Sequence, residues 1–304
     1  MQRAFVDARG RLHWPWRLAA FALFVLAASL AGSLIAYPIT AWVLRTAFGV
    51  RLIAFPWITL FALVAAHVLV RRSADAEMTW ARLGLDAAAT SRRGILGGTA
   101  LGAASILVPS ALLLAIGWLV IEPTNVGGWG SAIRAAMLVL LPAACSEELL
   151  FRGYGFAVVR ERFGWQVAVG VTSLAFALLH LTNPGAGAQS LALVALAGVW
   201  LGVVRVVTES LWATGAAHLA WNAVMALVLH TSVSGLPFST PGYRVVDAGP
   251  AWATGGAWGP EGGAFAALGM MAAMAALLVR PAGRALLARP IGRREMDGCV
   301  IVSR

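Results

Sequence analysis

The stretch CSEELLFRG, residues 145–153, sits inside an apolar run, with AAMLVLLPAA before it and YGFAVV after it. Three ionisable side chains, Glu147, Glu148 and Arg152, therefore fall within what reads as one hydrophobic helix. At the centre of a membrane helix each such group costs roughly 2.5–3.5 kcal/mol on the insertion scale. They must pair, line a wet cavity, or do both. Glu148 and Arg152 are four residues apart with the acid first, the better orientation for a helical ion pair. Glu147 is turned about 100° away. The stretch reads as one neutralised pair plus one spare carboxylate. The alternative is that both acids share Arg152 in a structural cluster.

The rest of the chain supports the membrane setting. Of its 304 residues, 60% are hydrophobic and 12% charged, where a soluble domain has about 25% charged. The net charge is +10, and all 23 basic residues are arginine. A nucleic-acid binder would gather such charge in a polar domain. Here the arginines cluster at the ends of apolar runs, as membrane topology requires, and no nucleic-acid partner is expected. Cys145 and Cys299 form neither a metal-ligand spacing nor a disulfide framework.

A spanning helix needs about 20 mostly apolar residues. Eight candidates are read: 18–44, 52–70, 95–121, 133–159, 165–182, 189–206, 210–230 and 264–280. The expected fold is all-α, a polytopic membrane helix bundle of about eight spans. Arginine clusters at the N-terminus, in the second and fourth connections and in the C-terminal tail, and the sixth connection carries Arg205. It is sparser in the alternate connections, at Arg45, Arg51, Arg134 and Arg244. Both termini are therefore expected in the cytoplasm and the 231–263 connection outside. The 71–93 connection is long enough for a short interfacial helix. The external loop, rich in Gly and Trp, either lids a site or merely connects.

Other expected spans carry polar residues too. SLAFALLHLTNP sets Phe176 and His180 on one helical face, and GAAHLAWNAV does the same for His218 and Asn222. Phe176 reads as packing. His67 and His230 sit near span ends with no polar partner in sequence and are assigned no role. Depth separates a site from scattered core histidines. At 1.5 Å per residue Glu147 lies about 20 Å from Arg160, His180 about 22 Å from Trp165, and His218 about 20 Å from Arg205. Polar residues of three helices thus share one slab of the membrane.

In that order the residues Glu147-Glu148-x-x-x-Arg152, Phe176-x-x-x-His180 and His218-x-x-x-Asn222 resemble the three motifs of the CAAX protease and bacteriocin-processing family. These intramembrane endopeptidases are similar to the Ras-converting CAAX endoprotease. The resemblance covers about residues 135–225. It implies an eight-helix membrane fold and a water-mediated peptidase acting on a membrane-associated protein or peptide in the lipid bilayer. It also implies roles. Glu147 activates water, His180 orients it, and His218 and Asn222 stabilise the oxyanion, with Glu148, Arg152 and Phe176 supporting. The chain then divides into a three-span region (1–130), a catalytic core (131–230), and an external loop, last span and tail (231–304). No cofactor is expected. The rival mechanism is a zinc peptidase with Glu147, His180 and His218 as ligands, although the His-Glu-x-x-His helix motif is missing. A non-proteolytic transporter or immunity protein is the rival class. The arginine-only, Ala- and Gly-rich composition suggests a bacterial plasma membrane.

Overall fold

A computed structural model of the chain describes residues 5–7, 10–44, 53–125, 128–238 and 241–288. Cys299 and several of the arginines counted above, among them Arg45, Arg51 and Arg304, lie outside the described residues. The fold is a helix bundle with one small two-stranded sheet. Its main helices are α1 (Trp14–Leu44), α2 (Phe55–Ser73), α3 (Arg92–Ala115), α4 (Trp129–Arg152), α5 (Tyr154–Phe163), α6 (Trp165–Leu179), α7 (Ala188–Thr208), α8 (Leu211–Val224), α9 (Ala264–Leu278) and α10 (Pro281–Leu287), with a single turn at Ala251–Thr254. Strands β1 (Leu119–Asn125) and β2 (Pro241–Asp247) pair antiparallel, with Ile121 opposite Val245.

Among the described residues six helices are long and apolar enough to cross a membrane, and a seventh if α9 and α10, bent by 91°, count as one span. The site-bearing α4 is outside that set and carries Arg134, Glu147, Glu148 and Arg152 over its 24 residues. Leu23, Leu26, Leu30 and Leu34 of α1 are left uncovered by protein. Such a contiguous apolar face belongs against lipid in an integral membrane protein.

Three local expectations are corrected. The span read as 133–159 is broken: Gly153, at φ −86° and ψ −128°, leaves the helical region and separates α4 from α5. The span read as 95–121 ends at Ala115, because β1 takes residues from Leu119 onward. Helix α2 runs on to Ser73, and the connection from Ala74 to Ser91 forms turns, with no interfacial helix.

Proline and glycine explain how the bundle closes. Pro142 cannot bond the Leu138 carbonyl one turn back, and Trp57 Nε1 of α2 donates to that carbonyl at 3.0 Å. A neighbouring helix thus satisfies a backbone group that lipid could not. On α3, Gly98 and Gly102 form a Gly-x-x-x-Gly face against α8. A Cβ at either would collide with the backbone of Ala213 or Ala217. Small residues at this spacing let two membrane helices approach backbone to backbone.

Charge gathers at one end of the bundle. Arg17 and Arg11 bind Asp75, just past α2, at 2.7 and 3.0 Å, and both reach Glu161 of α5. Tyr154 donates its hydroxyl to the same Asp75 at 2.8 Å. Burial works against the charge of Arg11, and Asp75 and Glu161 outweigh it, so its pKa stands above the ordinary arginine value. Nearby, Arg160 holds Glu209 through both guanidinium nitrogens at 2.7 Å, and Arg205 donates to the Arg82 carbonyl. The N-terminal segment and the second, fourth and sixth connections therefore share one end, as alternating spans require.

Candidate active site

The site is assembled from the last turns of α4, the end of α6 and the second half of α8. Glu148 and Arg152 form the pair expected from their spacing, Nη1 to Oε1 at 3.0 Å, and protein covers both almost completely. The second arginine arm donates to the Gly198 carbonyl of α7 at 3.0 Å. Glu148 Oε1 also accepts from His218 Nδ1 of α8 at 2.8 Å. One ion pair thereby ties three helices together.

Glu147 is set apart, as its position on the helix predicts. Its side chain is 23% exposed, against 2% for Glu148. It lies 3.6 Å from His218 Nε2, beyond hydrogen-bond range. Among the described residues it makes no hydrogen bond. The two edges of one imidazole thus face the two adjacent carboxylates, Nδ1 towards Glu148 and Nε2 towards Glu147.

His180 opens a 3₁₀ turn, His180–Thr182, at the end of α6. Its Nδ1 lies 2.8 Å from the Phe176 carbonyl. A carbonyl only accepts, so Nδ1 carries the proton and Nε2 is the basic nitrogen of the neutral ring. Phe176 is the hub of the site. Its ring centroid is 4.7 Å from His180 and 6.0 Å from His218, and the Arg152 guanidinium lies 4.7 Å over its face. That last contact is a cation–π pair within the usual reach. Asn222 is buried one helical turn beyond His218, where α8 gives way to a π turn, Met225–Leu229. Contacts thus link six of the seven residues singled out in the sequence, and Asn222 lies one helical turn from His218 on the same helix.

The depth measure for Glu147 does not survive, because the count from Arg160 crosses the break at Gly153. The convergence rests on contacts instead. Among the described residues no group of three or more His, Cys, Asp or Glu is placed to hold a metal ion.

Sequence reading missed several participants. His67 is fully buried; Nδ1 donates to the Leu63 carbonyl at 2.7 Å, and Nε2 accepts the Tyr154 backbone N–H at 3.1 Å. It thus caps the start of α5, directly after the α4 break. A Cβ at Gly153 would strike both the Leu149 carbonyl and His67, so the break needs glycine. His230 serves the sheet, with Nδ1 bonded to the Tyr243 carbonyl at 2.6 Å. The 231–263 connection also reaches the site: Trp258 packs in one cluster with Phe151 and Phe176. None of these carries a side-chain spacing signal, because the partners that give them their parts, Tyr154 for His67, Tyr243 for His230 and Phe176 for Trp258, lie well beyond one helical turn in sequence.

Fold and site together define a polytopic helical membrane protein with an acid–histidine centre built on three helices. Residues 129–224 match the family model described as type II CAAX prenyl endopeptidase Rce1-like. The match agrees with the resemblance seen in the three motifs and spans α4 to the end of α8. No curated protein and no solved structure matches the chain significantly.

Proposed function

We propose that the protein is an intramembrane endopeptidase that hydrolyses a peptide bond of a membrane-associated protein or peptide, using water activated by Glu147. The observation that carries this reading is the unequal use of two adjacent acids. Glu148 is committed to Arg152 and His218, while Glu147 stays partly exposed with no hydrogen bond among the described residues. A general base needs a carboxylate that is free to take a proton and reach the reacting water.

The reaction runs in two proton transfers. Glu147 takes a proton from water as the water oxygen attacks the scissile carbonyl, with His180 Nε2 accepting the second water hydrogen and orienting the attack. The oxyanion is met by Asn222 Nδ2–H and by Nε2–H of His218, doubly protonated between its two acids. Protonated Glu147 then passes its proton to the leaving amine as the C–N bond breaks, giving one carboxylic acid, which loses its proton to solvent on release, and one amine product. Arg152 neutralises Glu148, and Glu148 holds the imidazole in place through Nδ1. Phe176 fixes both histidines by packing.

No step requires a metal, and residues 131–230 act as the catalytic core. We place the arginine-rich end, with both termini, in the cytoplasm of a bacterial cell on the positive-inside rule. The test is cleavage of membrane-anchored reporter peptides in proteoliposomes. Wild-type protein cleaves and Glu147→Gln does not. Equal cleavage by the two, or a proton flux without cleavage, overturns the reading.

A further inference from the structure

A third carboxylate, outside the motifs, joins two parts of the site. Glu261 lies in the 3₁₀ turn Pro260–Gly262, at the end of the 231–263 connection. Its Oε2 accepts from Trp221 Nε1 at 3.0 Å. Its Oε1 accepts the backbone N–H of Ser234 and, at 2.9 Å, the Ser234 hydroxyl. Trp221 immediately precedes Asn222 on α8. The Ser234 carbonyl accepts in turn from Asn183 Nδ2 at 3.0 Å, three residues past His180. One acid thus links the helix carrying His218 and Asn222 to the turn carrying His180.

The chemistry of the junction demands an acid. Three donors, the indole N–H, the serine N–H and the serine hydroxyl, converge on Glu261. A carboxylate accepts on both oxygens. Glutamine would turn an NH₂ group towards either Trp221 or Ser234, donor against donor, and break one arm. Ser234 is itself held at φ +50°, a left-handed conformation that serine rarely adopts and that surrounding contacts must enforce. Trp258, three residues before Glu261, packs in one cluster with Phe151 and Phe176. The segment is therefore seated on the site at two points.

We propose that Glu261 is a positioning residue for the peptidase reaction, holding the His180 turn at its working separation from His218 and Asn222. The proposal rests on the peptidase reading given above. Glu261 touches none of the proposed reacting groups. It acts through Trp221 and through Ser234 and Asn183, and its loss misaligns the attacking water with the oxyanion donors. Misplacement of about 1 Å is enough to cost up to about 10²-fold in rate.

Two measurements test it. In proteoliposomes kcat and KM are determined for Glu261→Gln, Trp221→Phe and the double variant, beside wild type and inactive Glu147→Gln. Each single change lowers kcat at least about tenfold, leaves KM within about twofold, and the double variant is no slower than the slower single, because the link runs in series from Trp221 through Glu261 to Ser234 and severing either arm already breaks it. A full-rate Glu261→Gln, or losses that multiply in the double variant, overturns the proposal. The second measurement does not depend on turnover. Spin labels at Leu181 and Val228, both uncovered by protein, report the separation across the site in a cysteine-free chain. Glu261→Gln shifts or broadens that distance and Glu147→Gln leaves it alone. An unchanged distance in Glu261→Gln overturns the positioning role, whereas a wild-type protein that cleaves nothing brings down the peptidase reading. Should Glu261→Gln fail to fold, Trp221→Phe, which removes one arm only, carries both readouts.

Discussion

Glu148 accepts a hydrogen bond from His218 Nδ1 at 2.8 Å, across 70 residues of sequence. The same oxygen binds Arg152. This single contact turns a local helical ion pair into the joint between α4 and α8. It also decides which edge of the imidazole is left to face Glu147.

The two adjacent acids should separate on substitution. Glu148→Gln leaves Arg152 as an uncompensated buried charge, a loss of about 3–5 kcal/mol, read as a lower melting temperature and a lower yield of monodisperse protein in detergent. Glu147→Gln, with no hydrogen bond to lose among the described residues, keeps the wild-type melting curve and loses peptidase activity. Were Glu147→Gln the unstable variant and Glu148→Gln the active one, the two roles would be exchanged.

Asn222→Ala removes one oxyanion donor. Turnover falls by about 10²–10³, while binding of an uncleaved substrate analogue is retained. Asn222 is buried at the point where α8 changes to a π turn, so the melting temperature is recorded in parallel. An equal fall in affinity would place Asn222 in substrate binding instead.

Gly102→Ala tests how packing sets the chemistry. The added Cβ meets the backbone of Ala217, the residue directly before His218. Helices α3 and α8 must part, and strain of this kind costs about 1–3 kcal/mol. The expected result is a moderate loss of stability with a disproportionate loss of kcat. Gly97→Ala, one residue from Gly98 but with open space at its Cβ, keeps both.

Metal dependence is settled by chelation. Protein stripped with a strong chelator retains its activity under the Glu147 mechanism. Activity lost on stripping and restored by one equivalent of zinc would make Glu147, His180 and His218 ligands, with the metal drawing together side chains that otherwise form no metal-holding group among the described residues.

Much of this was legible in the chain itself. Apolar runs separated by arginine-rich connections imply a polytopic bundle, since backbone polar groups in lipid must be satisfied within helices. Glu148 and Arg152 had to pair because an i, i+4 spacing places them on one face, and a lone charge in lipid is costly. The same spacing set Glu147 apart and put Phe176 with His180 and His218 with Asn222.

Tertiary structure decided the rest, because those choices lie between elements that sequence spacing does not relate. The break at Gly153 needed the approach of His67 from α2. The strand that ends the third span early needed β2, more than a hundred residues later. His67 and Glu261 carry no periodic signal; each acquires its part only when folding brings a remote donor within 3.1 Å or less. Local period fixes which face a side chain shares, and only packing fixes what that face meets.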